Sequence, residues 1–136
     1  MSFLIDTNVI SEPRRPQPDA NVLSWFRRTD QAGIFISVLT LGELTRGAVK
    51  AARRDAAAGR RFQNWVGEVQ TDFAERVLGI DLKIASLWGE LSAARTVPVM
   101  DSLLAATALV HGMTLVTRNV RDVAGTGVAM LNPWES

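Results

Sequence analysis

Cysteine is absent from the 136 residues and histidine occurs once, as His111. Without a thiol there is neither a disulfide framework nor a thiolate metal ligand, and one imidazole cannot build a histidine zinc site. Any metal held by this chain is therefore held by carboxylates. Lysine is nearly missing as well, with Lys50 and Lys83 standing against 13 arginines. No apolar run approaches the roughly 18 residues of a membrane span. The opening Met1-Ser2-Phe3-Leu4-Ile5-Asp6 carries no basic stretch ahead of its apolar residues, so a secretory leader is not expected. The reading is a cytoplasmic protein with no membrane segment.

What is present is an ordinary globular composition, 47% hydrophobic with 15 basic and 14 acidic residues. At this length a chain buries a core without staples, and one domain over 1–136 is expected. Many arginines are paired: Arg14-Arg15, Arg27-Arg28, Arg53-Arg54 and Arg60-Arg61. The planar guanidinium fork suits phosphate oxygens, although most such pairs simply solvate helix surfaces.

Phe3-Leu4-Ile5 reads as a short buried strand ending in Asp6-Thr7-Asn8, with Asp6 also placed to cap a helix beginning near Val9. Three prolines between Glu12 and Pro18 mark an exposed turn without regular structure. Asp19 to Arg28 reads as a helix with Val22, Trp25 and Phe26 on one face. Gly33 to Ser37 is a second buried strand, and Ser37 caps a helix from Val38 to about Arg53. Inside it Glu43 stands among Leu39, Leu41, Leu44 and Ala48, where a carboxylate costs several kcal/mol unless paired; Arg46, one turn on, is the local partner on offer. After a basic, alanine-rich connection over 50–61 that reads as helical for much of its length, Phe62 to Phe73 carries Phe62, Trp65, Val66, Val69 and Phe73 at helical spacing, a stripe typical of core or dimer seam.

Val77 to Asp81 is extended, and Asp81 caps a helix from Leu82 to Arg95 whose inner face is Ile84, Leu87, Trp88 and Leu91. Val97 to Gly112 reads as a buried helix with Asp101 in its first turn and Gly112 closing it. Thr114 to Thr117 follows as a buried strand, with Asp122 just beyond. His111, beside the closing glycine, reads as a surface cap rather than a general base. Val128 to Leu131 is a last short strand. Strands alternating with helices predict an α/β/α three-layer sandwich on a parallel sheet of four to five strands.

Four acids stand out by position: Asp6 after the first strand, Glu43 in the helix after the second, Asp101 at a helix start and Asp122 after a later strand. In a parallel α/β sheet these places share one edge, so the four can converge. Close carboxylates repel unless some are protonated or a cation lies among them, and oxygen donors without Cys or His select Mg2+ or Mn2+. Such ions act at phosphodiesters. Two other readings start from the same residues. Asp6-Thr7-Asn8 after an apolar strand also fits a phosphoaspartyl loop, which normally wants a second acid at position 8 and a nearby lysine. A protein-binding module would use the acids only as helix caps.

Phe3 to Asn8, Ser37 with Leu41-Gly42-Glu43-Leu44, Asp101 to Ala108, Leu115 to Asp122 and the ending Leu131-Asn132-Pro133-Trp134 together resemble the PIN-domain ribonucleases, and among them the VapC-type toxins of toxin–antitoxin pairs. The resemblance spans the chain with its motifs in order. It implies that Asp6, Glu43, Asp101 and Asp122 are the metal-binding acids and that Thr7, Asn8, Thr117 and Asn119 line the site. The chain has Asn119 where some members have an aspartate, leaving a four-acid site, and Val123 where a phenylalanine is common. The resemblance further implies cleavage of RNA, often transfer RNA, a Mg2+ or Mn2+ cofactor, inhibition by a cognate antitoxin whose tail covers the cleft, and a homodimer. Arg14, Arg15, Arg118 and Arg121, in loops near the predicted acidic edge, are the expected phosphate contacts.

Overall fold

The computed structural model describes residues 1–135. Its strands are β1 (Phe3–Ile5), β2 (Ile34–Ser37), β3 (Val77–Leu78), β4 (Thr114–Val116) and β5 (Met130–Leu131), and its helices are α1 (Thr7–Ser11), α2 (Ala20–Arg28), α3 (Val38–Arg54), α4 (Ala56–Asp72), α5 (Leu82–Ala94), α6 (Val99–His111) and α7 (Val120–Val123). The five strands form one parallel sheet in the order β3-β2-β1-β4-β5.

Alternation along each strand divides the core. Ile5, Ile34, Ile36 and Val116 pack on one face, against Val9, Ile10, Trp25, Leu44, Ala48, Val66 and Val69 of α1 to α4. Leu4 and Leu115 point to the opposite face, against Leu104, Ala105 and Ala108 of α6 and Val123 of α7. Both faces are covered, so the strands read as unbroken apolar runs. The expected three-layer α/β/α sandwich is what these residues form.

The strand order sets the position of the site. The chain lays β2 and β3 outward on one side of β1, then crosses back to place β4 on the other, so the order reverses between β1 and β4. At such a switch point the connections leaving two neighbouring strands diverge and open a crevice at the carboxyl ends. The backbone stitches the two strands there, with Asp6 N–H donating to the Val116 carbonyl at 2.9 Å.

Polar side chains start the helices as their types dictate. The carboxylates of Asp19 and Asp81 and the hydroxyl of Ser37 accept backbone N–H groups of α2, α5 and α3. Gly112 closes α6 with φ 65°, a left-handed conformation that favours glycine.

Several expectations are corrected. Helix α1 begins at Thr7, two residues earlier than expected, because Asp6 caps it. The connection over 50–61, expected to be helical for much of its length, is divided at Asp55, which ends α3 and caps α4 at once, accepting Ala57 and Ala58 N–H. The two helices cross so closely that a Cβ on Gly59 would lie 2.4 Å from Ala52 Cα. Of the inner face read for α5, Ile84 is buried, whereas Leu87, Trp88 and Leu91 are only half-buried. Among the described residues no helix is long and apolar enough to cross a membrane.

Candidate active site

The crevice at the switch point is built first around Asp6, which is 6% exposed. Its Oδ1 accepts the Thr7 N–H at 2.7 Å and its Oδ2 accepts the Thr117 hydroxyl at 2.8 Å. One donor comes from the helix after β1 and the other from the residue after β4, so the carboxylate bridges the two diverging connections. Capping and membership of an acidic site, weighed above as alternatives, are carried by one residue. The Thr117 hydroxyl also accepts the Asn119 N–H at 3.0 Å, which fixes the turn into α7.

Glu43 reaches the same place from α3. Its Oε1 accepts the Thr7 hydroxyl at 2.6 Å, and Thr7 also lies 3.5 Å from the buried Thr40 hydroxyl, one turn before Glu43. The expected pairing with Arg46 does not form: among the described residues the ion pair is Arg15 with Glu12. A short hydroxyl at the start of the neighbouring helix reaches Glu43 directly, leaving Arg46 exposed.

Asp101 enters from the opposite face. Helix α6 runs back toward the start of β4, so its amino end lies at the carboxyl edge of the sheet. The Asp101 carboxyl is pushed up from 3.8 to about 6, first by burial, then by the charges of Asp6 and Asp122, a hydrogen bond with Asp122 and the charge of Glu43. One carboxyl thus registers all three other acids, although they come from positions far apart in the chain. Burial disfavours the charged form, and like charges disfavour it further.

Among the described residues no three acids close tightly enough to hold a metal ion as they stand. The donor chemistry nevertheless fits a hard divalent cation: every donor is oxygen, and burial together with the charges of Asp6, Asp122 and Glu43 raises the Asp101 carboxyl. A cation held among these acids would relieve that repulsion.

The arginines separate. Arg14 stacks on Phe62 and Trp65, its guanidinium carbon 4.3 and 4.6 Å from the ring centroids, and is tied to α4. Arg121 is exposed on α7, beside Asp122. Arg15 and Arg118 line a cleft of about 220 Å³ with Asn8, Ser11, Glu12 and Trp134. Arg118 lies over the Trp134 ring at 4.9 Å, and Asn21 Nδ2 donates to the Trp134 carbonyl at 2.8 Å, holding the terminal turn against α2.

Sequence reading missed Glu12. It falls in the segment expected to be an exposed, irregular turn, yet it starts a 3-10 turn over Glu12–Arg14 and is 4% exposed. Its Oε2 accepts the Asp19 N–H at 2.9 Å and its Oε1 accepts Arg15 Nη1 at 3.3 Å. Nothing in the local sequence marks it. Thr40 was missed as well, but its place one turn ahead of Glu43 is a signal that could have found it.

Comparison with known proteins adds four findings. The PIN domain family model matches residues 3–124. The chain is 32% identical to toxin FitB of Neisseria gonorrhoeae, over 97% of this chain and 98% of that one. It is 33% identical to the VapC ribonuclease Y4jK of Sinorhizobium fredii, over 98% of each. Its fold superposes on the crystal structure of FitAcB from Neisseria gonorrhoeae with a TM-score of 0.90 at 29% identity, over 98% of this chain and 99% of that one.

Proposed function

This chain belongs to the PIN-domain family, and from that premise we propose that it is a Mg2+- or Mn2+-dependent endoribonuclease acting as the toxin of a toxin–antitoxin pair. The observation that carries the reading is the Asp101 carboxyl, lifted to about 6 by burial and by Asp6, Asp122 and Glu43 together. Four acids that share an electrostatic environment at a switch point are a phosphodiester-cleaving arrangement. The names of the two relatives, a toxin and a ribonuclease, support the same activity.

Asp6, Glu43, Asp101 and Asp122 would hold the cation. When bound, it supplies an activated water and neutralises charge on the phosphate. The chain's own residues prepare the site. Thr7 N–H and the Thr117 hydroxyl fix both oxygens of Asp6, and the Thr7 hydroxyl holds Glu43, so the donors are oriented before substrate arrives. Asn8 and Asn119 line the rim, while Arg15, Arg118 and Arg121 offer guanidinium groups to backbone phosphates. Arg14, stacked on two aromatic rings, belongs to the protein-facing side of this reading.

The remaining parts of the proposal are an RNA substrate, with transfer RNA as the leading class, a cognate antitoxin, a homodimer and a cytoplasmic site of action within one domain. The exposed Pro13 and Pro16 and the half-buried Phe62 and Trp65 support an antitoxin peptide laid across this side. The half-covered apolar residues of α5 support pairing of two copies.

Purified protein incubated with bulk transfer RNA tests the activity. Cleavage with Mn2+, none with EDTA and none by Asp6→Asn is expected. RNA left intact by wild type with either Mg2+ or Mn2+ would refute the reading.

A further inference from the structure

We propose that a single RNA strand crosses the acid cluster over the first turn of α1, with one phosphate-binding pocket on each side: Arg15 and Arg118 in the first, Arg46 and Lys50 in the second. This rests on the ribonuclease reading and adds the path of the strand.

Thr7 and Asn8 are consecutive in that turn, yet they line different clefts. Asn8 belongs to the cleft with Arg15, Arg118 and Trp134. Thr7 belongs to a second cleft, of about 250 Å³, with Glu43, Arg46, Gly47 and Lys50. Asp6 lies beneath the turn, accepting the Thr7 N–H, and Glu43 stands at the inner wall of the second cleft, accepting the Thr7 hydroxyl. One helical turn therefore separates the two basic clefts, with the acids beneath and beside it. Two cationic clefts so close together fit successive phosphates of one backbone rather than the two strands of a duplex.

The cations are held for a ligand. Glu12 is buried and binds Asp19 N–H, so it is a fixed anchor. The Arg15 side chain that it steadies is 63% exposed. Arg118 lies over the Trp134 ring and is itself exposed, so its guanidinium N–H groups can meet a phosphate. Arg46 and Lys50 stand four residues apart on α3, hence on one face, and both are exposed. Among the described residues neither forms an ion pair with Glu43, whose Oε1 accepts the Thr7 hydroxyl instead. An acidic peptide would also seek two basic clefts, but its carboxylates would meet the acids beside them; a nucleic acid brings there the phosphate to be cut.

The test measures fluorescence anisotropy of a labelled 12-residue single-stranded RNA against the non-cleaving Asp101→Asn protein across a salt series. Adding Arg15→Ala with Arg118→Ala, or Arg46→Ala with Lys50→Ala, should weaken binding at least about tenfold. Each should also flatten the log–log salt slope by roughly 0.7 per lost phosphate contact. Arg53→Ala with Arg54→Ala, the same charge change at the far end of α3, should stay within about twofold. Arg118→Ala alone, which leaves no buried group unpaired, covers the case in which losing Arg15 unfolds the chain. Equal losses from all three pairs would show only bulk charge and overturn the track, as would no loss from either pocket pair; the ribonuclease reading survives both results. No RNA binding by the parent at low salt, with binding of polyglutamate instead, would overturn the track and the ribonuclease reading together.

Discussion

Neutralising Asp101 should stabilise the metal-free protein, and the gain should depend on pH. The folded carboxyl titrates near 6 against 3.8 in the unfolded chain. Below about pH 4 both states hold the proton and Asp101 contributes nothing. Between about 4 and 6 only the folded state holds it, so stability falls as pH rises, and above 6 the full penalty of an ionised Asp101 is present. At about 1.4 kcal/mol per pKa unit the ceiling is about 3 kcal/mol. Asp101 is only half-buried, and solvent screening brings the figure to about 1–2 kcal/mol. Asp101→Asn keeps a donor for Asp122 and removes the charge. In EDTA at pH 7.5 it should melt roughly 3–10 °C above wild type, and at pH 4 the two should coincide. Scanning calorimetry at the two pH values decides. A variant less stable than wild type at pH 7.5, or an equal offset at both pH values, would refute the crowding of these acids.

Other outcomes follow from single contacts. Thr117→Val should strip Asp6 of a buried donor and cost about 1–3 kcal/mol in a denaturant titration, with Thr117→Ser restoring most of it. Thr7→Val should free Glu43 and lower RNA cleavage by Mn2+-loaded protein at least about tenfold, with little change in melting temperature. Gly59→Leu should cost more than about 2 kcal/mol, because its side chain would drive into the Ala52 backbone, and loss of α3–α4 packing should appear as faster amide exchange there. Gly112→Ala should cost about 1 kcal/mol by thermal melting, since the position holds φ 65° and a methyl group strains that conformation.

Local chemistry accounts for what was legible. Phe3–Ile5 and Ile34–Ser37 are short apolar runs ended by small polar residues, and a strand covered on both faces needs little else to be recognised. Asp19, Ser37 and Asp81 announce helix starts because a short acceptor next to a helical pattern has one favourable use. Asp6, Asp101 and Asp122 stand out because each follows a strand or lies near a helix start, and Glu43 because it is a carboxylate inside an apolar helical stretch. Long-range contacts account for what was hidden. Glu12 is buried by a partner seven residues on, at Asp19, under a run of prolines and arginines that reads as surface. Arg118 was expected near the acids, and Trp134, the ring it lies over, is sixteen residues on in the chain and reaches it only because β5 pairs beside β4. The rule that pairs residues three apart on a helix assigns Arg46 to Glu43, and only the fold brings Thr7 within 2.6 Å instead. The repeat of Ile84, Leu87, Trp88 and Leu91 says that α5 has an apolar face; how much of it α6 covers is not written in the repeat.

That Asp6, Glu43, Asp101 and Asp122 form one cation site is tested most directly by calorimetric titration of Mn2+ at pH 7.5. Wild type should bind, and Asp6→Asn, Glu43→Gln, Asp101→Asn and Asp122→Asn should each weaken binding at least about tenfold. Glu12→Gln, which neutralises a buried acid outside the cluster, should bind as wild type does. Equal Mn2+ affinity in the four acid variants and in Glu12→Gln would contradict the site.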